Sequence, residues 1–310
     1  MTRVLVVGEP LVELLEGPLG TSVRGFGGDA VNTAVYLARE APEMRVSLAS
    51  AVGDDSSSDD LVALCLAEAV DVSCLLRVPG AEIGRYRVTV DGTGERALAY
   101  ERSHSPFGAA LDGDDVLPHP SEVDLLYFSG ITMAVLHELG RHALCAYAME
   151  VRHRGGRIAY DPNHRPALWN TPSEARGWLS RAVSVADFVL ASTEDGRALT
   201  GLTGAAEIAV RLREEGTAEV VVTDGPRPCS IFHDDRMEEV AVSFITDVVD
   251  TTAAGDAFNA GYLAGRLRGL DPVASAAVGH RLAARVVGHR GAIVPAEGPS
   301  ELEVTYSETD

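Results

Sequence analysis

A chain of 310 residues, 46% hydrophobic and 23% charged, can bury a full α/β core as one large domain or one domain with a small appendage. Its formal net charge of −20 excludes a dominating basic surface, and with it the electrostatics that hold proteins on nucleic acid or anionic membranes. The 26 basic side chains other than histidine are all arginine, which excludes a P-loop with its GKS or GKT, a Schiff-base lysine and the strand lysine of protein kinases.

The chain opens with MTRVLVVGEP, a strand over Val4–Val7 running into a turn. It is too short for the hydrophobic region of a signal peptide, and no later run approaches transmembrane length. Pro10–Phe26 alternates like strands. Asp29–Glu40 then reads as a helix, Val46–Ala49 as a strand and Ser57–Ala69 as a helix. The acidic and serine cluster from Asp54 to Asp60 is a helix start rather than a cation site. Ala81–Arg102 returns to strand-like alternation, with Asp91-Gly92 as a hairpin turn. Together with Pro10–Phe26 it predicts one small β-sheet, a flap with an apolar face that needs covering by substrate or another subunit.

Beyond it, strands at Leu125–Ser129, Arg157–Tyr160, Phe188–Ala191 and Val220–Thr223 alternate with helices at Val135–Arg154, Ser173–Ala182, Glu194–Thr200 and Ala205–Glu215. Two more strands (Cys229–His233, Glu238–Val242) and helices over Gly255–Arg268 and Val273–Val287 complete the pattern. Such alternation predicts a mostly parallel sheet with helices on both faces and a ligand beyond the carboxyl ends of its strands. Cys65, Cys74, Cys145 and Cys229 form no CxxC pair and read as buried free thiols, which suits a reducing cytoplasm.

Two segments carry the chemistry. In DTTAAGDAFNAGYLAGRL, from Asp250 to Leu267, a loop of tiny residues opens a helix, so bare backbone N–H groups and the helix dipole form a cradle for negative charge. Asp256 stands at its mouth, where an N-cap alone is the plain alternative to a base. In RGFGGDAVNTAVYLAR, from Arg24 to Arg39, glycines imply close backbone approach, and Asn32 sits one turn into the helix. Gly25, Gly27 and Ala30 imitate a dinucleotide fingerprint, but the preceding strand and the later acidic residue are missing. His137, Glu138 and His142 imitate HExxH with a spacing that puts the imidazoles on different helix faces, and the other histidines share no metal-ligand spacing.

The two segments, in this order and about 225 residues apart, resemble the paired signatures of the PfkB/ribokinase carbohydrate kinases, a likeness that runs from about Val4 to Pro295. It implies a ribokinase-like three-layer α/β sandwich with a mostly parallel sheet and a β-lid, and phosphoryl transfer from ATP with Mg²⁺ to a sugar hydroxyl. Use of a monovalent cation stays open. The resemblance frames one kinase domain over residues 1–295, lid strands from about 10–26 and 81–102, and an acidic tail at 296–310. VGEPLVEL, DGTGERALAYER, SGITMAVL, YDPNHRPALW and HRGAIVP further resemble the branch acting on 2-keto-3-deoxygluconate, phosphorylated at its terminal hydroxyl.

On that resemblance Asp256 is the general base, and the backbone N–H groups of Ala253, Ala254 and Gly255 stabilise the transferring group. The commoner family loop is GAGD; with alanine at 253, that position is expected to avoid positive φ. Gly28, Asn32, Tyr86, Tyr100, Arg102 and Arg165 are expected on the sugar, the arginines on its carboxylate. Asp29 and Glu13 are placed in the same region by analogy. Thr223, Gly225, Ser192 and His280 are expected on the nucleotide side, with a packed helix histidine as the alternative for His280. The family's Mg²⁺-linked Asn-x-x-Glu is reduced to Ser192-x-x-Asp195, which leaves Asp195 a water-mediated metal role. The partners implied are a small sugar acid, ATP and further copies of the chain. A kinase for fructose, a nucleoside or the galacto epimer, and a catalytically silent nucleotide-binding regulator, are the alternative readings.

Overall fold

A computed structural model of the chain describes residues 1–16, 22–90, 96–113, 116–242 and 248–296. Strands β1 (Arg3–Val7), β2 (Leu11–Glu16) and β3 (Ser22–Gly27) precede helix α1 (Asp29–Glu40). After β4 (Arg45–Val52), α2 (Ser56–Ala67) and the short β5 (Leu75–Arg77) come β6 (Gly84–Val90) and β7 (Arg96–Glu101). The middle of the chain runs β8 (Leu125–Ser129), α3 (Gly130–Val135), α4 (Glu138–His153), β9 (Arg157–Asp161), α5 (Pro172–Val185), β10 (Phe188–Ser192), α6 (Thr193–Thr200) and α7 (Ala205–Arg213). Strands β11 (Glu219–Asp224), β12 (Arg227–His233) and β13 (Arg236–Val240) lead to α8 (Ala254–Leu267) and α9 (Pro272–Val287).

The main sheet has the order β13-β12-β11-β10-β9-β8-β1-β4-β5, parallel from β11 to β5 and antiparallel at β12 and β13. Its strands are apolar on both faces, and the two-residue period divides them between two cores. Val4, Val6, Leu125 and Tyr127 pack with α1, α8 and α9 on one side; Leu5, Val7, Leu126 and Phe128 pack with α4, α5 and α7 on the other. The result is the three-layer α/β sandwich the alternation predicts. A Cβ on Gly261 of α8 would lie 2.9 Å from the Cα of Gly279 in α9, so two bare glycines let these helices meet closely.

The two strand-like insertions do form a separate sheet, in the order β3-β2-β6-β7. β2 pairs parallel with β6, across about 70 intervening residues, and the outer pairs are antiparallel. The Asp91-Gly92 turn lies outside the described residues, as does the tail beyond residue 296. The acidic serine cluster is a helix start: Asp55 caps α2, accepting the N–H of Ser57 at 3.2 Å.

Two expectations are corrected. The helix expected over Val135–Arg154 is two helices broken at Leu136 and His137. Arg141 explains the break: its Nε and Nη2 donate to the carbonyls of Leu136 (2.9 Å) and Ala134 (3.0 Å), while the N–H of His137 goes to Gly108 O (2.8 Å). All four cysteines are free, but only Cys65, Cys145 and Cys229 are buried; Cys74 is half-buried.

Candidate active site

A cavity of about 350 Å³ opens at the carboxyl ends of the parallel strands, between the N-termini of α1 and α8 and beneath the small sheet. Most of the predicted residues meet there. Gly28 and Asn32 come from the start of α1, Tyr86, Tyr100 and Arg102 from the small sheet and its exit, and Arg165 from the loop after β9. Ser192 and Thr223 come from the ends of β10 and β11, Asp195 from the first turn of α6, and Ala253 to Asp256 from the mouth of α8. Gly225 and His280 are not among the lining residues, nor is Glu13.

The mouth of α8 is built from backbone. Ala253 caps the helix with no side-chain hydrogen bond, at φ 60 and ψ 10. The expectation that an alanine here avoids positive φ is therefore wrong: the left-handed conformation is kept, at a cost of about 1–2 kcal/mol relative to glycine's freedom. The N–H of Ala254 is already spent on Thr251 O (3.2 Å), whereas those of Gly255 and Asp256 belong to a first turn with no partners within its own helix. A Cβ built on Gly255 meets no protein atom within 4 Å. Packing does not demand that glycine; the space belongs to whatever fills the cavity.

Asp256 is buried, and its Oδ2 accepts Asn32 Nδ2 at 2.8 Å, joining the two motifs across 224 residues. Burial, then the charge of Asp29, push its carboxyl up to about 7, against the opposing pull of the Asn32 hydrogen bond and the Arg165 guanidinium. That is the range in which a carboxylate can both hold and take a proton at neutral pH. Gly28 must be glycine, because at φ 105 a Cβ would lie 2.4 Å from Glu9 O.

Beneath these lie supporting groups, of which Asp29 is expected by analogy and Asp161 and Glu9 are not singled out in the sequence. Asp161 accepts the N–H of Asn163 (3.0 Å) and Asn259 Nδ2 (2.8 Å), and burial with the charge of Asp195 holds its carboxyl well above the usual range. Asp29 accepts Asn163 Nδ2 at 2.9 Å. Glu9, 1% exposed on its side chain, has Oε2 3.3 Å from Arg102 Nε, and its Oε1 accepts Ser105 Oγ at 2.6 Å. Signals for them existed: Asn259 lies three residues after Asp256, one helical turn on, and Asp161 and Asn163 stand in YDPNHRPALW.

Among the described residues, Arg102 and Arg165 are the only basic ones lining the cavity, against six carboxylates. Arg102 stacks over Tyr100 at 4.5 Å; its Nε is paired with Glu9 Oε2 at 3.3 Å, and its Nη1 is buried without a hydrogen-bond partner. Such an unspent donor is costly unless a ligand takes it. Arg165 is exposed, its Nη1 bonded to His164 O at 3.1 Å. Tyr86 donates to Glu13 Oε1 at 2.7 Å, so Glu13 sits behind the tyrosine and holds it rather than facing the cavity. On the other side, Thr223 bonds Ala191 O (3.3 Å), and Gly225 takes φ 59 in the β11–β12 turn. His280 packs on the Phe258 ring at 4.9 Å with Nε2 unpartnered, as a packed helix histidine.

Asp195 lines the cavity with both oxygens engaged by the protein: its Oδ1 accepts His164 N–H (2.7 Å) and its Oδ2 accepts Ser192 Oγ (2.6 Å). Among the described residues, no group of three or more His, Cys, Asp or Glu is placed to hold a metal ion.

Comparison with known proteins agrees with this geometry. A family model described as pfkB family carbohydrate kinase matches residues 1–298. The 2-dehydro-3-deoxygluconokinase of Escherichia coli K12 is 35% identical over 304 residues, 95% of this chain and 98% of that one. The enzyme of the same name from Dickeya dadantii is 34% identical over 303 residues, 95% and 97% of the two chains. Among solved structures, a PfkB protein from Polaromonas sp. JS666 matches with a TM-score of 0.82 at 27% identity, over 93% of this chain and 96% of that one. The chain belongs to the pfkB family of carbohydrate kinases.

Proposed function

We propose that this kinase transfers the γ-phosphoryl group of ATP to the terminal hydroxyl of 2-keto-3-deoxygluconate, the substrate named, as 2-dehydro-3-deoxygluconate, for its E. coli and D. dadantii relatives. The observation that carries the reading is the guanidinium pair, Arg102 and Arg165, in a cavity whose other charged lining residues are all acids. Arg102 is ion-paired through Nε to Glu9, but its buried Nη1 has no acceptor, and a sugar acid supplies a carboxylate for it where a neutral sugar does not.

Asp256 takes the proton of the hydroxyl while its oxygen attacks the γ-phosphorus and the bond to the β–γ bridging oxygen breaks, releasing ADP. Asn32 holds the carboxylate in place, and the first-turn N–H groups at Gly255 and Asp256 face the charge of the transferring group. Tyr86 and Tyr100, with ring centroids 5.8 Å apart, wall the sugar side and exclude water. The side chains of the described residues offer no metal cage, so Mg²⁺ would fit as an ion carried by the phosphates and water, where it would neutralise phosphate charge. With Tyr100 exposed on the small sheet, a second copy covering that sheet fits a dimer or higher assembly.

The test is ADP release with 2-keto-3-deoxygluconate, its galacto epimer, fructose and ribose side by side. The sugar acids are expected to exceed the neutral sugars in kcat/KM by at least about a hundredfold, the discrimination a bidentate charged contact affords. Equal or better use of fructose contradicts the proposal.

A further inference from the structure

The carboxylate at 195 stands where the resemblance puts a metal-linked acid, yet each of its oxygens accepts a hydrogen bond from within the protein. Oδ1 accepts the backbone N–H of His164 and Oδ2 the hydroxyl of Ser192, while the N–H of Asp195 returns to Ser192 Oγ at 3.1 Å. The residue is 6% exposed. His164 immediately precedes Arg165. Two further carboxylates grip the same stretch: Asp161 holds the N–H of Asn163, and Asp29 holds its side-chain amide. Asn163 sits at φ 30, a left-handed conformation that a non-glycine residue keeps only when its surroundings enforce it. The segment 163–165 leaving β9 is therefore fastened from α1, from β9 itself and from the start of α6.

We infer that Asp195 is a positioning residue for Arg165, tying the segment that carries this arginine to the N-terminus of α6 rather than serving the metal. This rests on the reading of Arg165 as a ligand of the sugar-acid carboxylate. The change from Asn-x-x-Glu to Ser192-x-x-Asp195 is then a change of task. The serine and aspartate lock one another at the head of α6, and the acid reaches sideways to the sugar-side loop. The link also joins the two halves of the cavity, since Ser192 ends β10 beside Thr223 of β11.

The test compares wild type, Asp195→Ala, Asp195→Asn and Arg165→Ala as full-length protein. Binding of 2-keto-3-deoxygluconate is measured by titration calorimetry without nucleotide or divalent ion, and KM for the sugar acid and for Mg²⁺-ATP at steady state. Asparagine keeps an acceptor for His164 N–H while losing the charge. Asp195→Ala is expected to weaken the sugar acid about tenfold, the worth of one hydrogen bond to a charged group. Asp195→Asn is expected to stay within about threefold of wild type, and KM for Mg²⁺-ATP to move less than about threefold in either variant. Unchanged sugar-acid binding in Asp195→Ala, with binding weakened in Arg165→Ala, overturns the inference. So does an Asp195→Asn protein that binds the sugar acid normally but loses Mg²⁺-ATP affinity. Normal sugar-acid binding in Arg165→Ala removes instead the role of Arg165 on which the inference stands.

Discussion

The two sides of the cavity, proposed to take the sugar and the phosphates, are made of different materials. On the proposed sugar side, side chains do the work: Asn32 is bonded to Asp256, Tyr86 to Glu13, Arg102 is ion-paired with Glu9, and Asp29 and Asp161 hold Asn163, two residues before Arg165. At the mouth of α8 the backbone does the work, through a left-handed alanine, an unneeded Cβ and a bare first helical turn. The difference shows why a chain without lysine can be a kinase. Phosphates are met by N–H groups that every residue carries, so this side needs only small residues and a helix start. Selectivity between sugars needs particular side chains, and those need partners. Asp256 belongs to both halves, on the phosphate-side helix and bonded to sugar-side Asn32.

The sharpest way to break this division is at the shared residue. Asp256→Asn should retain ATP binding while kcat falls by about 10³-fold or more, the scale of a lost general base in a positioned site; near-normal turnover would remove Asp256 from the chemistry. A smaller loss is expected for Gly255→Ala. The added Cβ meets no protein atom, so thermal stability should hold or rise with the better helix former, while kcat drops about tenfold to a hundredfold as the cradle is filled. A parallel fall in stability and activity would mean the glycine serves packing.

The smallest effect concerns pH. With Asp256 pushed up to about 7, kcat/KM should fall on an acid limb near that pH, because the base must be unprotonated. Asp29→Asn removes the charge that raises it and should move the limb to lower pH by up to about one unit. Stability runs the opposite way. The folded carboxyl keeps its proton to higher pH than the unfolded value of 3.8, so its stabilising contribution is fully present below about 4 and is lost as pH rises through about 7. An acid limb unmoved in Asp29→Asn would assign it to another group.

What the sequence disclosed follows the same division. The α8 mouth was legible because its signal is local: tiny residues, an aspartate and a helix within seven positions. So were the parallel strands, since burial on both faces writes itself as an unbroken apolar run. Asp29 and Glu13 were placed here only through the family resemblance, and Glu9 and Asp161 not at all; their partners were not legible because they lie far along the chain, as Asp161 with Asn259 and Asp29 with Asn163. The broken helix at Leu136 was equally hidden: its helical periodicity is real, and the interruption comes from an arginine capturing two carbonyls and a loop carbonyl taking an N–H. Ala253 misled for another reason. Propensity forbids its conformation only by a cost small beside what the surrounding fold supplies.

The division is tested most directly by the selectivity of the Arg102→Ala/Arg165→Ala double variant, measured as kcat/KM for 2-keto-3-deoxygluconate over kcat/KM for fructose, with KM for ATP in the same assays. The predicted result is a ratio that collapses by at least about a hundredfold while KM for ATP stays within about threefold of wild type. A ratio left unchanged, or an equal loss toward both substrates, would contradict it.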